Sequence, residues 1–276
     1  MAEFVTSDGL TLHYTDEGAG VPVLCLAGLT RTTADFDYVT PHLPDARLIK
    51  LDYRGRGKSQ WDTTWQNYNL FVESRDAVEL LDHLGLEKVG VIGTSRGGLI
   101  AMGLAMGAKD RLLGVALNDI GPVIEPVGLE FIMGYLGRKP QAKNHVEAAH
   151  ALERNMTGFR DVPFSRWMEE VTKHFVATDD GLDITYDPKL RDAVIEQGAQ
   201  AAPDLWPFFA AFAHMPVALL RGANSDLLSA EVFEKMQQTL PQAHAATVAD
   251  RGHIPFLDEP EALETLKAWV KEMTDD

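Results

Sequence analysis

The first third of the chain alternates short apolar runs with turns. Phe4 to Thr6 and Leu10 to Thr15 flank the turn Ser7-Asp8-Gly9, a pattern that predicts a hairpin. Val21 to Leu26 and Arg47 to Leu51 are nearly continuous apolar runs, as expected of strands buried on both faces of a parallel sheet. The period then changes. Between Phe71 and Leu84, apolar residues fall at 71, 77, 78, 81 and 84 with charged residues between them, which predicts an amphipathic helix stopped by Gly85. Lys88 to Ile92 reads as a strand, Leu99 to Ala108 as a buried helix rich in small residues, and Leu112 to Leu117 as the next strand. The alternation resumes with strand Val217 to Leu220, helix Ser229 to Leu240, strand Ala245 to Val248 and helix Pro260 to Met273. Ser229 suits an N-cap and Pro260 a first helical turn. Strands alternating with helices predict an α/β fold, with a mostly parallel sheet covered by helices on both faces.

The stretch from 122 to 214 departs from this rhythm. It holds seven of the 14 prolines, several helix-like pieces (Asn144 to Arg154, Ser165 to Phe175, Pro188 to Gly198) and no convincing strand. It is read as a helical cap or lid inserted into a core formed by residues 1–121 and 215–276. The insertion accounts for the 276-residue length without a second independent domain.

Composition narrows the function. With 25 basic against 41 acidic residues, the net charge of -16 disfavours nucleic acid as a partner. The single cysteine, Cys25, excludes an internal disulfide and a cysteine-based metal cluster, and no metal site is expected. The apolar stretch from Leu99 to Ala108 falls far short of the ~20 residues a membrane span needs. Met1-Ala2-Glu3-Phe4 lacks the basic and apolar regions of a signal peptide, so a cytoplasmic location is expected. Self-association into a homo-oligomer is left open.

Gly93-Thr94-Ser95-Arg96-Gly97-Gly98 lies between a predicted strand and a predicted helix, the setting of a nucleophile elbow. Glycines two positions before and after Ser95 permit a turn tight enough to push its hydroxyl out at the strand's end. Among nine histidines, His253 follows the last strand and so shares the sheet edge of Ser95; it is the expected base. Two aspartates end strands at that edge, Asp119 and Asp226. Asp226 is preferred as the carboxylate that orients His253, because it precedes the histidine by one strand-helix-strand unit. The backbone N–H groups of Leu29 and Arg96 are the expected oxyanion donors. Arg31 and Arg96 are weighed as contacts for a substrate carboxylate, and Trp167 and Trp206 as pocket walls.

In these features the chain resembles the α/β-hydrolase superfamily over nearly its full length. The resemblance rests on Leu26-Ala27-Gly28-Leu29, on Asp52-Tyr53-Arg54-Gly55-Arg56-Gly57-Lys58-Ser59, on the Ser95 segment, on Gly222-Ala223-Asn224-Ser225-Asp226 and on Gly252-His253, in that order. It implies an eight-stranded sheet with a helical cap between strands six and seven. It also implies a serine hydrolase that needs no cofactor, acting on a small ester or lactone through Ser95, His253 and Asp226. C–C bond hydrolysis of dienoates, cofactor-free haloperoxidase activity, acyl transfer and a weakly catalytic ligand receptor are the alternatives. Two positions depart from the common pattern: Ala27 stands where many members carry histidine, and Arg96 where an apolar or amide side chain is frequent.

Overall fold

Side chains of β3 (Val21–Leu26) alternate between two apolar layers, and this alternation organises the molecule. Leu24 and Leu26 join a core on one face, whereas Val23 and Cys25 join the core on the other. The computed structural model describes residues 2–201 and 203–274. The amino-terminal hairpin pairs β1 (Ala2–Val5) with β2 (Thr11–Gly18), and β2 runs antiparallel to β4 (Ala46–Leu51). From there the ladder is parallel. It passes from β4 to β3, then to β5 (Val89–Thr94) and β6 (Leu112–Asn118). Two further strands, Val217–Gly222 and His244–Val248, continue it in parallel and complete an eight-stranded sheet.

Helices cover both faces, as the alternation predicts. On the side of Leu24, α1 (Leu70–His83) and α2 (Arg96–Gly107) contribute Leu80, Leu81, Ile100 and Ala101 to the larger core. Asn69 caps α1 by accepting the Val72 N–H at 2.9 Å.

The segment between β6 and the next main-sheet strand holds α3 (Pro126–Tyr135), α4 (His145–Asn155), α5 (Phe164–His174), β7 (Phe175–Thr178), β8 (Gly181–Ile184), α6 (Leu190–Gly198) and α7 (Trp206–Ala210). The expectation of a purely helical insertion is therefore corrected: β7 and β8 pair antiparallel as a separate two-stranded sheet. The strands have four residues each, too short for a clear period of two to stand out in sequence. The sequence pattern does not predict helix α3 either; Val127, Leu129, Phe131 and Tyr135 are exposed along it, so it lacks a clean amphipathic stripe.

Past the insertion, the main sheet closes with β9 (Val217–Gly222) and β10 (His244–Val248), joined through α8 (Ala230–Thr239), whose N-cap is Ser229. The last helix, α9 (Pro260–Glu272), starts at its proline and lays Leu266, Trp269 and Val270 on the Val23 face. Among the described residues no helix is long and apolar enough to cross a membrane.

Candidate active site

Ser95 sits in the turn between β5 and α2 with φ 50° and ψ −114°, a backbone region that side chains avoid because it crowds Cβ. Close packing holds it there. A methyl group at Gly93 would come within 2.7 Å of the Gly97 carbonyl, and one at Gly97 would be driven into the Leu26 carbonyl. The Gly97 N–H donates to the Ala27 carbonyl at 3.1 Å, which ties the elbow to the turn after β3. A methyl group at Gly28 would touch both Ser95 and Arg31, so this turn lies against the serine.

His253, in the loop between β10 and α9, brings Nε2 to 3.0 Å from Ser95 Oγ. Its Nδ1 lies 2.7 Å from Asp119 Oδ2. The expected partner Asp226 is therefore corrected to Asp119. Because β6 and β9 are parallel neighbours, both aspartates reach the same edge, and strand order does not separate them. Local backbone does. Asp119 turns back through a left-handed conformation (φ 53°) immediately after β6 and is wholly buried. Its Oδ1 accepts the Gly222 N–H at 2.8 Å, and its Oδ2 also accepts the Ser225 hydroxyl at 2.6 Å. The β9 loop thus supplies donors to the carboxylate of β6, while Asp226 in that loop lines a cavity. The Asn118 side chain donates to the Pro255 carbonyl at 3.1 Å and anchors the histidine loop.

The N–H groups of Leu29 and Arg96 have no protein acceptor among the described residues. Both belong to segments that border Ser95, and Arg96 opens α2, where the first N–H groups have no intrahelical acceptor. The arrangement offers a nucleophile, a base with an oriented ring and unspent backbone donors, which together suit acyl transfer.

A cavity of about 1030 Å³ opens over Ser95 and His253 beneath the insertion. Trp167 lines it, at 5.7 Å from Phe159 and 6.3 Å from Phe256 by ring centroids. Trp206 does not; it packs on the sheet's larger core against Phe209, with Lys235 over its ring, and the pocket role expected for it is withdrawn. The two arginines also separate. Arg31 lines the cavity, whereas Arg96 turns its side chain into the protein, where Nε donates to Glu73 Oε2 at 2.6 Å. A substrate contact by the Arg96 side chain is accordingly withdrawn.

Around Arg31 the insertion meets the core through charges. Arg31 Nη1 donates to Glu170 Oε2 at 2.8 Å, and Tyr38 donates to Oε1 of the same carboxylate at 2.9 Å. His174 Nε2 lies 3.1 Å from Asp35 Oδ1. Burial by itself would lower the Arg31 pKa, but Asp35 and Glu170 outweigh it and push it up. The hydrogen bonds of Arg31 run through Nη1, and its Nε and Nη2 have no protein acceptor among the described residues. The sequence motifs do not point to His174 or Glu170; the signal they carry is a shared helical face at i, i+4. Among the described residues no cluster of three or more His, Cys, Asp or Glu is placed to hold a metal ion.

Comparison with known proteins places the whole chain among known folds. Residues 23–266 match the family described as the alpha/beta hydrolase family. A 3-hydroxybutyrate-oligomer hydrolase of Cupriavidus necator is 36% identical over 248 residues, covering 86% of this chain and 84% of its own length. The crystal structure of an alpha/beta hydrolase from Novosphingobium aromaticivorans superposes with a TM-score of 0.91 at 35% identity, over 98% of this chain and 97% of that one. An esterase from Exiguobacterium antarcticum shares the fold, with a TM-score of 0.73 at 21% identity over 98% and 99% of the two chains.

Proposed function

The chain belongs to the alpha/beta hydrolase family, and on that premise we propose that it is a serine hydrolase cleaving small carboxylic esters that carry a free carboxylate. The observation that carries the reading is the continuous chain from Ser95 Oγ through His253 to Asp119, with contacts of 3.0 Å and 2.7 Å. Ser95 Oγ attacks the ester carbonyl carbon as its proton passes to His253 Nε2. The negative carbonyl oxygen takes hydrogen bonds from the Leu29 and Arg96 N–H groups. Collapse of the tetrahedral intermediate breaks the ester C–O bond, and His253 returns the proton to the departing alcohol. Water then attacks the acyl-enzyme, giving its proton to His253; release of the carboxylic acid restores Ser95. Asp119 holds the imidazole ring in place and stabilises its protonated form.

The carboxylate preference rests on Arg31, which lines the cavity, packs with Ser95 around Gly28 and keeps guanidinium N–H groups without a protein acceptor among the described residues. The relative that acts on 3-hydroxybutyrate oligomers supports it, because such oligomers are hydroxyacid esters ending in a carboxylate. The insertion acts in this reading as a lid, with Glu170 and His174 closing on Arg31, Tyr38 and Asp35.

The test combines a fluorophosphonate probe with turnover of the linear 3-hydroxybutyrate dimer and of its methyl ester. Wild type is expected to be labelled at Ser95 and to prefer the free acid. Ser95→Ala should lose both labelling and turnover, and Arg31→Leu should lose the preference for the acid. Labelling and turnover that persist unchanged in Ser95→Ala would overturn the hydrolase reading. An unchanged acid preference in Arg31→Leu would overturn the assignment of Arg31.

A further inference from the structure

Glu73 lies fully buried on α1 between two arginines, and each arginine reaches a different arm of the oxyanion hole. Arg96 Nε donates to Glu73 Oε2 at 2.6 Å, and the backbone N–H of that same Arg96 is one oxyanion donor. Arg56 Nη1 meets Glu73 Oε1 in an ion pair at 2.7 Å, off the hydrogen-bond axis. Arg56 Nε donates to the Leu29 carbonyl at 3.0 Å, and Leu29 carries the other oxyanion donor. Nearby, the Tyr53 hydroxyl donates to the Ala27 carbonyl at 3.0 Å and steadies the same turn. Neither Glu73 nor Arg56 lines the cavity, and the Arg96 side chain is turned into the protein, so the three side chains act from behind the site.

A buried ion cluster of this kind adds little stability over apolar packing of the same volume; what it fixes is geometry. The oxyanion hole depends on geometry, since its donors work only when aimed at the oxygen that becomes charged. We infer that Glu73 is a positioning residue for the oxyanion hole, holding the Arg96 and Leu29 donors in register through its two arginine partners. The inference rests on the serine-hydrolase reading above. The trio also carries one net positive charge in a low-dielectric setting behind both donors, which favours the oxyanion over the neutral carbonyl.

The test measures kcat, KM and the affinities of two inhibitors in Glu73→Gln and Arg56→Met. One inhibitor is an alkyl boronic acid, which forms a tetrahedral adduct on Ser95; the other is the product 3-hydroxybutyrate, which does not. Both variants are expected to lose kcat by about tenfold or more, a part of the roughly 100- to 1000-fold loss that follows outright removal of an oxyanion donor. Boronate affinity should fall by a similar factor, with KM and product affinity within about threefold of wild type. A folded Glu73→Gln that keeps kcat and boronate affinity within twofold overturns the inference, as does an equal loss of boronate and product binding. If Glu73→Gln does not fold, Arg56→Met decides, because it leaves the Arg96–Glu73 pair in place; an unchanged kcat there overturns the inference. Wild type that resists the fluorophosphonate probe would instead overturn the underlying hydrolase reading, so the two failures are distinguishable.

Discussion

His253 Nδ1 meets Asp119 Oδ2 at 2.7 Å, and Asp119 stands at the end of β6, on the amino-terminal side of the insertion. The two partners of this contact thus come from opposite sides of the inserted segment. The Asp119 carboxylate is shared with the Gly222 N–H and the Ser225 hydroxyl of the β9 loop, which leaves it no freedom to turn away.

This pairing separates the two aspartates experimentally. Asp119→Asn should lower kcat by about 10³- to 10⁴-fold, the scale seen when the carboxylate behind a catalytic histidine is neutralised. Asp226→Asn should stay within about tenfold of wild type, its effect falling on KM through the cavity wall. Steady-state kinetics on one ester substrate checks both; the reverse order would restore Asp226 as the orienting acid.

The elbow's packing predicts a sharp contrast between two glycines of α2. Gly97→Ala would push a methyl group into the Leu26 carbonyl and should destabilise the fold by about 3 kcal/mol, with loss of probe labelling. Gly107→Ala meets nothing within 4 Å and should change stability by no more than about 1 kcal/mol. Urea unfolding midpoints of the two variants test this, and similar midpoints would refute the steric account.

Acid should weaken the contact between insertion and core through Asp35. Burial alone would raise its pKa, but Arg31, His174 and Lys173 outweigh burial and hold the carboxyl below its ordinary value. The unfolded chain therefore takes up the proton first. The stabilisation is present above the ordinary carboxylate range near about 4 and is lost as pH falls from there through the lowered folded-state value. Asp35→Asn should flatten the fall in stability between about pH 5 and pH 2. Parallel wild-type and variant curves would count against this linkage.

Arg166 fastens α5 to the loop before α9. Its guanidinium donates to Asp258 at 3.1 Å and 2.6 Å and stacks 3.8 Å above the Tyr38 ring centroid. Arg166→Ala should raise local opening of the insertion by about tenfold, the equivalent of one charge-assisted hydrogen bond. Faster proteolytic cleavage within residues 122–214, with little change in the global melting temperature, would show it. A cleavage rate equal to that of wild type would mean that other contacts hold the insertion.

Much of this protein was legible from sequence because it depends on short-range pattern. Continuous apolar runs identify the β3 to β6 strands, since a strand buried on both faces has no polar side to show. The glycines around Ser95 and the placement of His253 after the last strand follow from steric demand and parallel topology. What tertiary structure alone decided involves groups far apart in the chain. Asp119 and Asp226 are equivalent by strand order, and the choice between them came from a left-handed turn at Asp119 and from donors offered by Gly222 and Ser225. The direction of the Arg96 side chain was set by Glu73, a buried acid on α1 that reads in sequence as one charged position of an amphipathic helix. Trp167 and Trp206 are the same residue type in the same insertion, yet only one faces the cavity, because the packing of the insertion on the core is settled by long-range contacts that no local period encodes.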